Sequence, residues 1–566
     1  MAFGVRVRRL RTSGGDELLA SPEGIVAIVG PNNSGKSAFL RELHYYLSQG
    51  PGAVPPLGLV LAEVEVEKEG EVADLLDWLQ QHAYSQIRTT ERVYKRAHAD
   101  WTGEGQLSNN WNFGPGFAQL APFIAFLAQA EGRLGQLGGS GQYDVMNDRP
   151  GNPMQVLYAR RDLEEKLSQL SVEAFGIGVT LNRFGSTLVL LWGEVDETPP
   201  PFPAEEYMER LRGLQPVQNQ GDGVKSFLGT MLLLLTASYP LVFIDEPEAF
   251  LHPPQAQLMG RKLRSELPAG TQAFVATHSL DVVEGLLEGA GRPVTIGRLT
   301  RSGDVNRLSV LNPGAVEHLW RDPLLRYSNV LEGLFHRGVV VCEGDADCRF
   351  YNAVLDVARS DEGSPPHDLL FTHCGGKQRI ATVVRALRAV DVPVVVIADF
   401  DVLREAQPFG EIITALGRDP ALFEGRRNSI AAGLSARARS PSRAFVIEEV
   451  QNVLTASDDP SVTRDEADTI RTITRWEDGW KSAKESGLAS IPRGGEYNAA
   501  EGLLDDLREV GLIVVGVGEL EGWVREVGHK GPRWVVEVLE QNLHVAAELS
   551  ARRFVDAAAN AITSAE

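Results

Sequence analysis

Eight residues near the start of the chain, Gly30-Pro-Asn-Asn-Ser-Gly-Lys-Ser37, have the types and spacing that hold a polyphosphate. Gly30 and Gly35 let the backbone of Asn32, Asn33 and Ser34 wrap closely enough for N–H groups to face phosphate oxygens. Lys36 supplies a point charge to the outer phosphates, and the Ser37 hydroxyl can ligate Mg²⁺. Far downstream, Leu241-Val-Phe-Ile-Asp-Glu-Pro-Glu248 is an apolar run that delivers two adjacent carboxylates. Asp245 is suited to hold the Mg²⁺ through water, and Glu246 to polarise an attacking water as general base. Ala273-Phe-Val-Ala-Thr-His-Ser279 ends in a polar triplet that would place His278 near the γ-phosphate as a sensor. Gln220-Gly-Asp-Gly-Val-Lys-Ser226 precedes an apolar helix whose N-terminus can bind an anion. These stretches together point to binding and hydrolysis of ATP with Mg²⁺.

A second set of acids lies beyond them. Val339-Val-Val-Cys-Glu-Gly-Asp-Ala-Asp347 is a β-branched run ending in three carboxylates, and Val392-Pro-Val-Val-Val-Ile-Ala-Asp-Phe-Asp401 is another of the same character. In a parallel α/β sheet the C-terminal strand ends share one edge, so Glu343 and the pair Asp399/Asp401 can converge. On an extended backbone Asp399 and Asp401 project to one side, with Phe400 opposite. Hard oxygen ligands clustered in this way suit Mg²⁺ or Mn²⁺ better than zinc. Helix capping accounts for Asp345 or Asp347 before CRFYNAVLDVA. It does not account for a second acidic strand end, so a metal is the better reading.

The elements that must position these residues read as an α/β chain. Ile25–Val29 is a buried strand running into the Gly-rich loop and then the helix-like AFLRELHYYL, the order a P-loop needs. The strand ending at Glu343, the helical stretches around Thr372-His-Cys-Gly-Gly-Lys377 and the strand ending at Asp399 alternate in the same manner. At 566 residues the chain predicts two to four domains. No apolar run approaches a membrane span, and MAFGVRVRRL lacks the apolar segment of a signal peptide, so a cytosolic protein with no membrane partner is expected. Cys342, Cys348 and Cys374 lack paired metal spacing and read as buried thiols. The net charge of −21 repels nucleic acid, so DNA binding requires a metal or locally concentrated cations. Arg6–Arg9, Arg88–Arg96 and Arg426-Arg427 are the candidates, each of which also reads as a solvated face. The segment 65–210 shows helix-like stretches without sustained heptads. Within it, Asn109–Gly116 reads either as a loop with packed aromatics or as a surface for a partner. A helix is expected over 315–336.

GPNNSGKS, QGDGVKSF, LVFIDEPEAFLH and ATHS resemble the Walker A, signature, Walker B with D-loop, and H-switch elements of ABC-type ATPases of the RecF/SMC-like group. That resemblance implies ATP-dependent dimerisation of heads, with Gly221 and Gly223 facing the γ-phosphate in trans. The signature departs from the common LSGG type, and the sequence alone places no Q-loop glutamine. A strand-end EG, then GK, then a strand-end DxD resembles the TOPRIM domain, with Glu343 as the motif glutamate and Asp399/Asp401 as the DxD. The resemblance further implies Lys377 as an active-site lysine, Asp347 as a second acid, Glu519 and Glu521 as ligands for a second metal, and Lys530 as a stabiliser of the transition state. Ala346 replaces the small hydroxyl residue usual in the motif. An ABC-type ATPase followed by TOPRIM is the arrangement of the OLD (overcoming lysogenization defect) family, to which Gabija-type antiphage nucleases belong. The implied layout is an ATPase domain over 1–325 with a helical insertion at about 65–210, a TOPRIM domain over 337–545 with a helical insertion at about 405–510, and a C-terminal helix or tail over 546–566. The implied activity is an ATP-hydrolysing, Mg²⁺- or Mn²⁺-dependent DNA endonuclease of antiphage defence, forming homodimers or larger assemblies, with a partner defence protein as a further candidate partner. A sensor or scaffold with a non-cleaving TOPRIM domain and a RecF/SMC-like repair ATPase are the alternatives.

Overall fold

The computed structural model describes residues 3–50, 60–88, 90–96, 99–113, 116–135, 137–146, 149–195, 200, 202–236, 239–288, 291–311, 329–437, 442–456, 461–474, 479–546 and 550–563. They fall into two units, Met1–Arg326 and Tyr327–Glu566.

The first unit is built on a six-stranded sheet in the order Val305–Leu311, Val294–Ser302, Ile25–Val29, Gln272–Ala276, Leu241–Asp245, Ala125–Ala128. All neighbours are parallel except the first pair. Both faces of the inner strands are covered, which is why Ile25–Val29 and Gln272–Ala276 are buried at every residue and read as continuous rather than alternating apolar runs. Parallel pairing puts the residues that follow Val29, Asp245 and Ala276 at one edge. The strand Gly4–Thr12 alternates buried Val5 and Val7 with outward arginines, and pairs with Leu61–Glu69 and Glu17–Leu19. Arg6 reaches Glu69 at 2.8 Å, Arg9 reaches Glu17 and Glu65 at 3.0 and 3.1 Å, and Arg11 reaches Glu63 at 3.1 Å. The Arg6–Arg9 cluster is therefore matched by a glutamate ladder and offers no net positive patch. Gln272, fully buried, accepts from Val7 N at 2.8 Å and donates to Val7 O at 2.9 Å, stapling this outer sheet to the inner one.

The expected helical insertion over 65–210 is instead mixed. It holds an antiparallel sheet, Tyr84–Arg88, Glu91–Arg96 and Ala99–Gly103, and a second one over Val179–Asn182, Thr187–Trp192 and Gln215–Pro216. Ala125–Ala128 joins the central sheet. Four residues carry no periodicity, so this strand has no signature in the sequence. Asn109–Phe113 is not a loop but the end of the helix Glu104–Phe113, in which Trp111 packs against Phe3 and Phe117 while Phe113 is exposed. In the Arg88–Arg96 cluster, Arg96 is buried against Tyr239 and donates to Phe123 O.

The second unit has four parallel strands in the order Leu369–His373, Gly338–Cys342, Val394–Ala398, Leu512–Val514. Between the third and fourth lie, among the described residues, six α-helices from Ala406–Ala415 to Gly495–Glu509 and two 3-10 helices, Phe400–Leu403 and Gly487–Ser490. Arg427 is buried here and donates to Leu403 O, while Arg426 pairs with Asp506 at 2.5 Å, so this basic pair is also satisfied. The segment expected as a C-terminal helix or tail supplies the helix Ser550–Thr563, whose Ala551, Val555, Ala558 and Ile562 complete the core around Trp534 and Phe350. Of the helix expected over 315–336, residues 315–328 lie outside the described ones, and Asn329–Phe335 is a 3-10 helix. The three cysteines are buried and unpaired. Among the described residues no helix is long and apolar enough to cross a membrane.

Candidate functional site

In the first unit the loop between Val29 and Lys36 is shaped by three left-handed residues: Gly30 at φ +147°, Asn33 at +63° and Gly35 at +96°. A Cβ on Gly30 would stand 2.1 Å from Leu299 O, so no side chain fits there. Lys36 Nζ donates to Gly30 O and Pro31 O at 2.9 Å each, which folds the ammonium back over the loop. Asn32 and Asn33 are exposed, and Ser34 is buried with its carbonyl accepting from Asn306 Nδ2 at 2.7 Å. Ser37 Oγ donates to Asp245 Oδ1 at 2.9 Å, bringing together the two groups expected to hold Mg²⁺. Burial raises the Asp245 carboxyl above its ordinary range, against the hydrogen bond from Ser37.

Glu246 follows in a left-handed conformation, φ +50°, strained for a residue with a side chain. Its N–H donates to Ala276 O at 2.9 Å. His278 Nδ1 lies 3.6 Å from Glu246 Oε1 and 3.4 Å from Glu248 Oε1. Glu248, the last residue of that motif, accepts from Thr277 Oγ1 and from His278 N, each at 2.9 Å, and so fixes the strand end that carries His278. Gly223 lies under Phe250 O, where a Cβ would stand 2.6 Å away, while Gly221 has open space around it.

Two residues at this sheet edge escape sequence reading. Gln129 is exposed directly after Ala125–Ala128, one strand over from Asp245. Arg133 is wholly buried and donates to Asp245 O and Glu246 O at 2.6 Å each and to Ala128 O at 3.0 Å. Burial pushes its guanidinium down to about 10, against the attraction of Glu248, Asp245 and Glu246. Arg133 thus holds the strained turn at Glu246 by its carbonyls. Arg133→Met is expected to destabilise the first unit by on the order of 3 kcal/mol, because buried carbonyls lose a charged donor. Chemical denaturation checks this, and an unchanged midpoint would show that the carbonyls find other donors.

In the second unit Glu343 follows Gly338–Cys342, and its Oε1 accepts from Asp399 N at 3.1 Å. Glu343, Asp399 and Asp401 each offer a carboxylate oxygen, all within 4.8 Å of one another. The route differs from extended alternation. The strand stops at Ala398, Asp399 stands just before the 3-10 helix Phe400–Leu403 without a side-chain capping bond, and Asp401 sits in its first turn with Phe400 buried below. A tight turn rather than a pleat therefore aims the two aspartates together. Asp401 Oδ1 is buried with no hydrogen-bond partner, which a cation would satisfy. Lys377, after two left-handed glycines, places Nζ 3.5 Å from Asp401 Oδ2 and 3.2 Å from Glu405 Oε1.

Asp347 does cap its helix, accepting from Gly344 N at 2.8 Å, and it also stands within the field of Glu521. Glu519 and Glu521 are not gathered with the triad. The fourth strand ends at Val514, and the intervening loop leaves Glu519 capping the 3-10 helix Leu520–Trp523. There Glu519 pairs with Lys530, and Glu521 accepts from Gly531 N at 2.6 Å. Another lysine missed in the sequence, Lys484, lies 3.8 Å from Asp401 Oδ2.

Burial and mutual repulsion raise these acids: Glu343 to about 7, Asp347 to about 6, and Asp399 well above its ordinary range. A cation must displace those protons, so affinity for Mn²⁺ is expected to climb as pH rises through about 6 to 7 and, with Asp399 raised as well, to go on climbing above that. Calorimetric titration over that range checks it, and a pH-independent affinity would count against binding at these acids.

Residues 188–284 match the family model described as AAA domain (AbiEii toxin, Type IV TA system), and residues 334–401 match that of the overcoming lysogenization defect protein-like TOPRIM domain. The two define an ATPase domain followed by a TOPRIM domain in one α/β chain. The two matches are consistent with the ATPase–TOPRIM arrangement of the OLD family. The chain is 36% identical over 80 residues to the uncharacterized protein MJECL11 of Methanocaldococcus jannaschii, covering 14% of this chain and 70% of that protein. Similar solved structures include an SMC head bound to the C-winged helix domain of ScpA, at 11% identity over 54% of this chain and 98% of that one, TM-score 0.34. The SMC head domain from Thermotoga maritima is similar at 16% identity over 54% and 98%, TM-score 0.29.

Proposed function

We propose that the chain is an ATP-hydrolysing, metal-dependent DNA endonuclease serving antiphage defence. The observation that carries the nuclease reading is the convergence of Glu343, Asp399 and Asp401 within 4.8 Å, with an unpartnered buried oxygen on Asp401. These residues would hold Mg²⁺ or Mn²⁺, which when bound supplies Lewis-acid activation of water and of a phosphodiester's leaving oxygen. Glu343 also tethers the Asp399 backbone, so it orients a neighbouring ligand as well as offering its own oxygen. Lys377 offsets the charge of Asp401 and Glu405. Asp347 with Glu521, and Glu519 with Lys530, flank the triad as candidates for a second cation and for stabilising the transition state.

In the ATPase, Lys36 and the loop amides would bind the phosphates, Ser37 and Asp245 the Mg²⁺, and Glu246 with His278 the attacking water. Gly221 and Gly223 at the start of the helix Asp222–Thr236 support a composite site in which a second head completes the first. ATP would then assemble a homodimer and gate cleavage.

Plasmid nicking by the purified chain with Mg²⁺ or Mn²⁺, with an ATP titration and an EDTA control, tests this reading. Metal-dependent nicking that responds to ATP supports it. Retained ATP hydrolysis with no cleavage under any condition would move the assignment to a sensor that holds a partner effector.

A further inference from the structure

The helices between the third and fourth strands of the second unit do more than cover it. Lys484 belongs to the helix Gly479–Ser486, whose inner side is anchored by Trp480 and Ala483, 4% and 0% exposed, with Trp480 Nε1 donating to Ser435 Oγ at 3.2 Å. The turn that follows is packed backbone on backbone. Gly487, at φ +55°, has Gly516 O where a Cβ would be, 2.1 Å away. Gly518, at φ +112°, has Lys484 O 2.3 Å from the same point. Leu488 N donates to Gly516 O at 3.0 Å, and Phe400 N donates to Gly518 O at 2.8 Å. Three segments distant in sequence, 399–401, 516–518 and 484–488, thus form one hydrogen-bonded stack. It holds the Lys484 backbone in place beside the acids.

The side chain is left half-exposed, 46%, with Nζ 3.8 Å from Asp401 Oδ2. An ion pair so open to solvent contributes little to stability, so stabilising the fold does not account for the lysine. The approach of DNA offers an account. A centre with this many carboxylates repels a phosphodiester unless cations answer it. Lys377 is engaged by both Asp401 and Glu405, and Lys530 by Glu519. Among the described residues Lys484 makes its ion pair with Asp401, the ligand that a bound cation would take, and it also stands in the field of Asp399, Glu519 and Glu343.

Resting on the nuclease reading above, we propose that Lys484 is the phosphate-anchoring cation of the acidic centre, its ammonium binding a non-bridging oxygen of the DNA backbone while the carboxylates hold the metal. The helical insertion is then part of the active site rather than a cover for it.

The test uses the full chain and a fluorescent DNA duplex, with Ca²⁺ replacing Mg²⁺ to suppress turnover and anisotropy followed against KCl. Lys484→Met is expected to weaken duplex binding about tenfold and to lower the salt slope by about one, with Lys484→Arg restoring most of the affinity. Calorimetry with Mn²⁺ should show metal affinity undiminished in both variants, and thermal melting should match the wild type. Duplex affinity within about twofold of wild type in Lys484→Met overturns the proposal while leaving the nuclease reading intact. Joint loss of Mn²⁺ affinity or of melting temperature in both variants overturns it in favour of a structural role. A wild-type chain that binds no duplex with any divalent ion overturns the nuclease reading, and this proposal with it.

Discussion

Glu246→Gln is expected to bind ATP as tightly as the wild-type chain and to hydrolyse it at least about a hundredfold more slowly, the scale of losing a general base. Glutamine keeps the shape of the side chain, and every backbone bond at this residue is indifferent to the change: the N–H still donates to Ala276 O and the carbonyl still accepts from Arg133. The left-handed turn should therefore survive, and the loss should fall on kcat. Glu248 cannot substitute, since both its oxygens are engaged by Thr277 and His278. Single-turnover phosphate release beside an equilibrium measurement of nucleotide binding separates the two effects. Hydrolysis within about tenfold of wild type would sink the assignment of the base. If ATP joins two heads, the same variant should accumulate as an ATP-dependent dimer in light scattering.

Glu343→Gln should lose roughly 10–100-fold or more in Mn²⁺ affinity and abolish measurable DNA cleavage, while ATP turnover, whose groups lie in the other unit, persists. The glutamine oxygen can still accept from Asp399 N, so the turn that aims the aspartates has no reason to collapse. What disappears is one negative charge from a group of three. Glu343→Ala removes the tether as well and should be the more damaging at low metal concentration. Nicking rates over a Mn²⁺ series, with ATP hydrolysis recorded on the same preparations, distinguish a centre that has lost its cation from a chain that has lost its fold. Cleavage by both variants at the wild-type rate would place the nuclease centre elsewhere.

The strands that end in Val29, Asp245, Ala276, Cys342 and Ala398 are legible in the sequence because each carries a buried apolar run that stops abruptly at a polar residue or a glycine. Carboxylates that follow such strands converge by topology, so Glu343 and the Asp399/Asp401 pair can be named without coordinates. The means of convergence cannot. An extended strand and a 3-10 turn place Asp401 on the same side by different paths, and DFD fits either. The path to Glu519 is less legible: the strand stops at Val514 and a glycine-containing loop carries the residue on to Lys530. Arg133 and Lys484 leave no periodic trace. One is a buried cation on a helix of six residues, and the other depends on glycine contacts between segments that share no pattern. Ala125–Ala128 is too short to register against the helices around it.

The strand order of the first unit also bears on how the chain comes off the ribosome. Ile25–Val29, which leads into the phosphate-binding loop, takes its hydrogen bonds from Gln272–Ala276 on one side and Val294–Ser302 on the other, and the Val7–Gln272 staple spans 265 residues. At a synthesis rate of about 5–20 residues per second, the loop waits roughly 15–50 s for its first sheet neighbour. During that interval the strand's apolar faces and both of its edges lack their native cover. The nascent loop cannot assemble a hydrolytic site until the residues around Asp245, Glu246 and His278 have arrived. ATP binding is then a late event of biosynthesis, and the exposed strand in the meantime is a natural client for a chaperone.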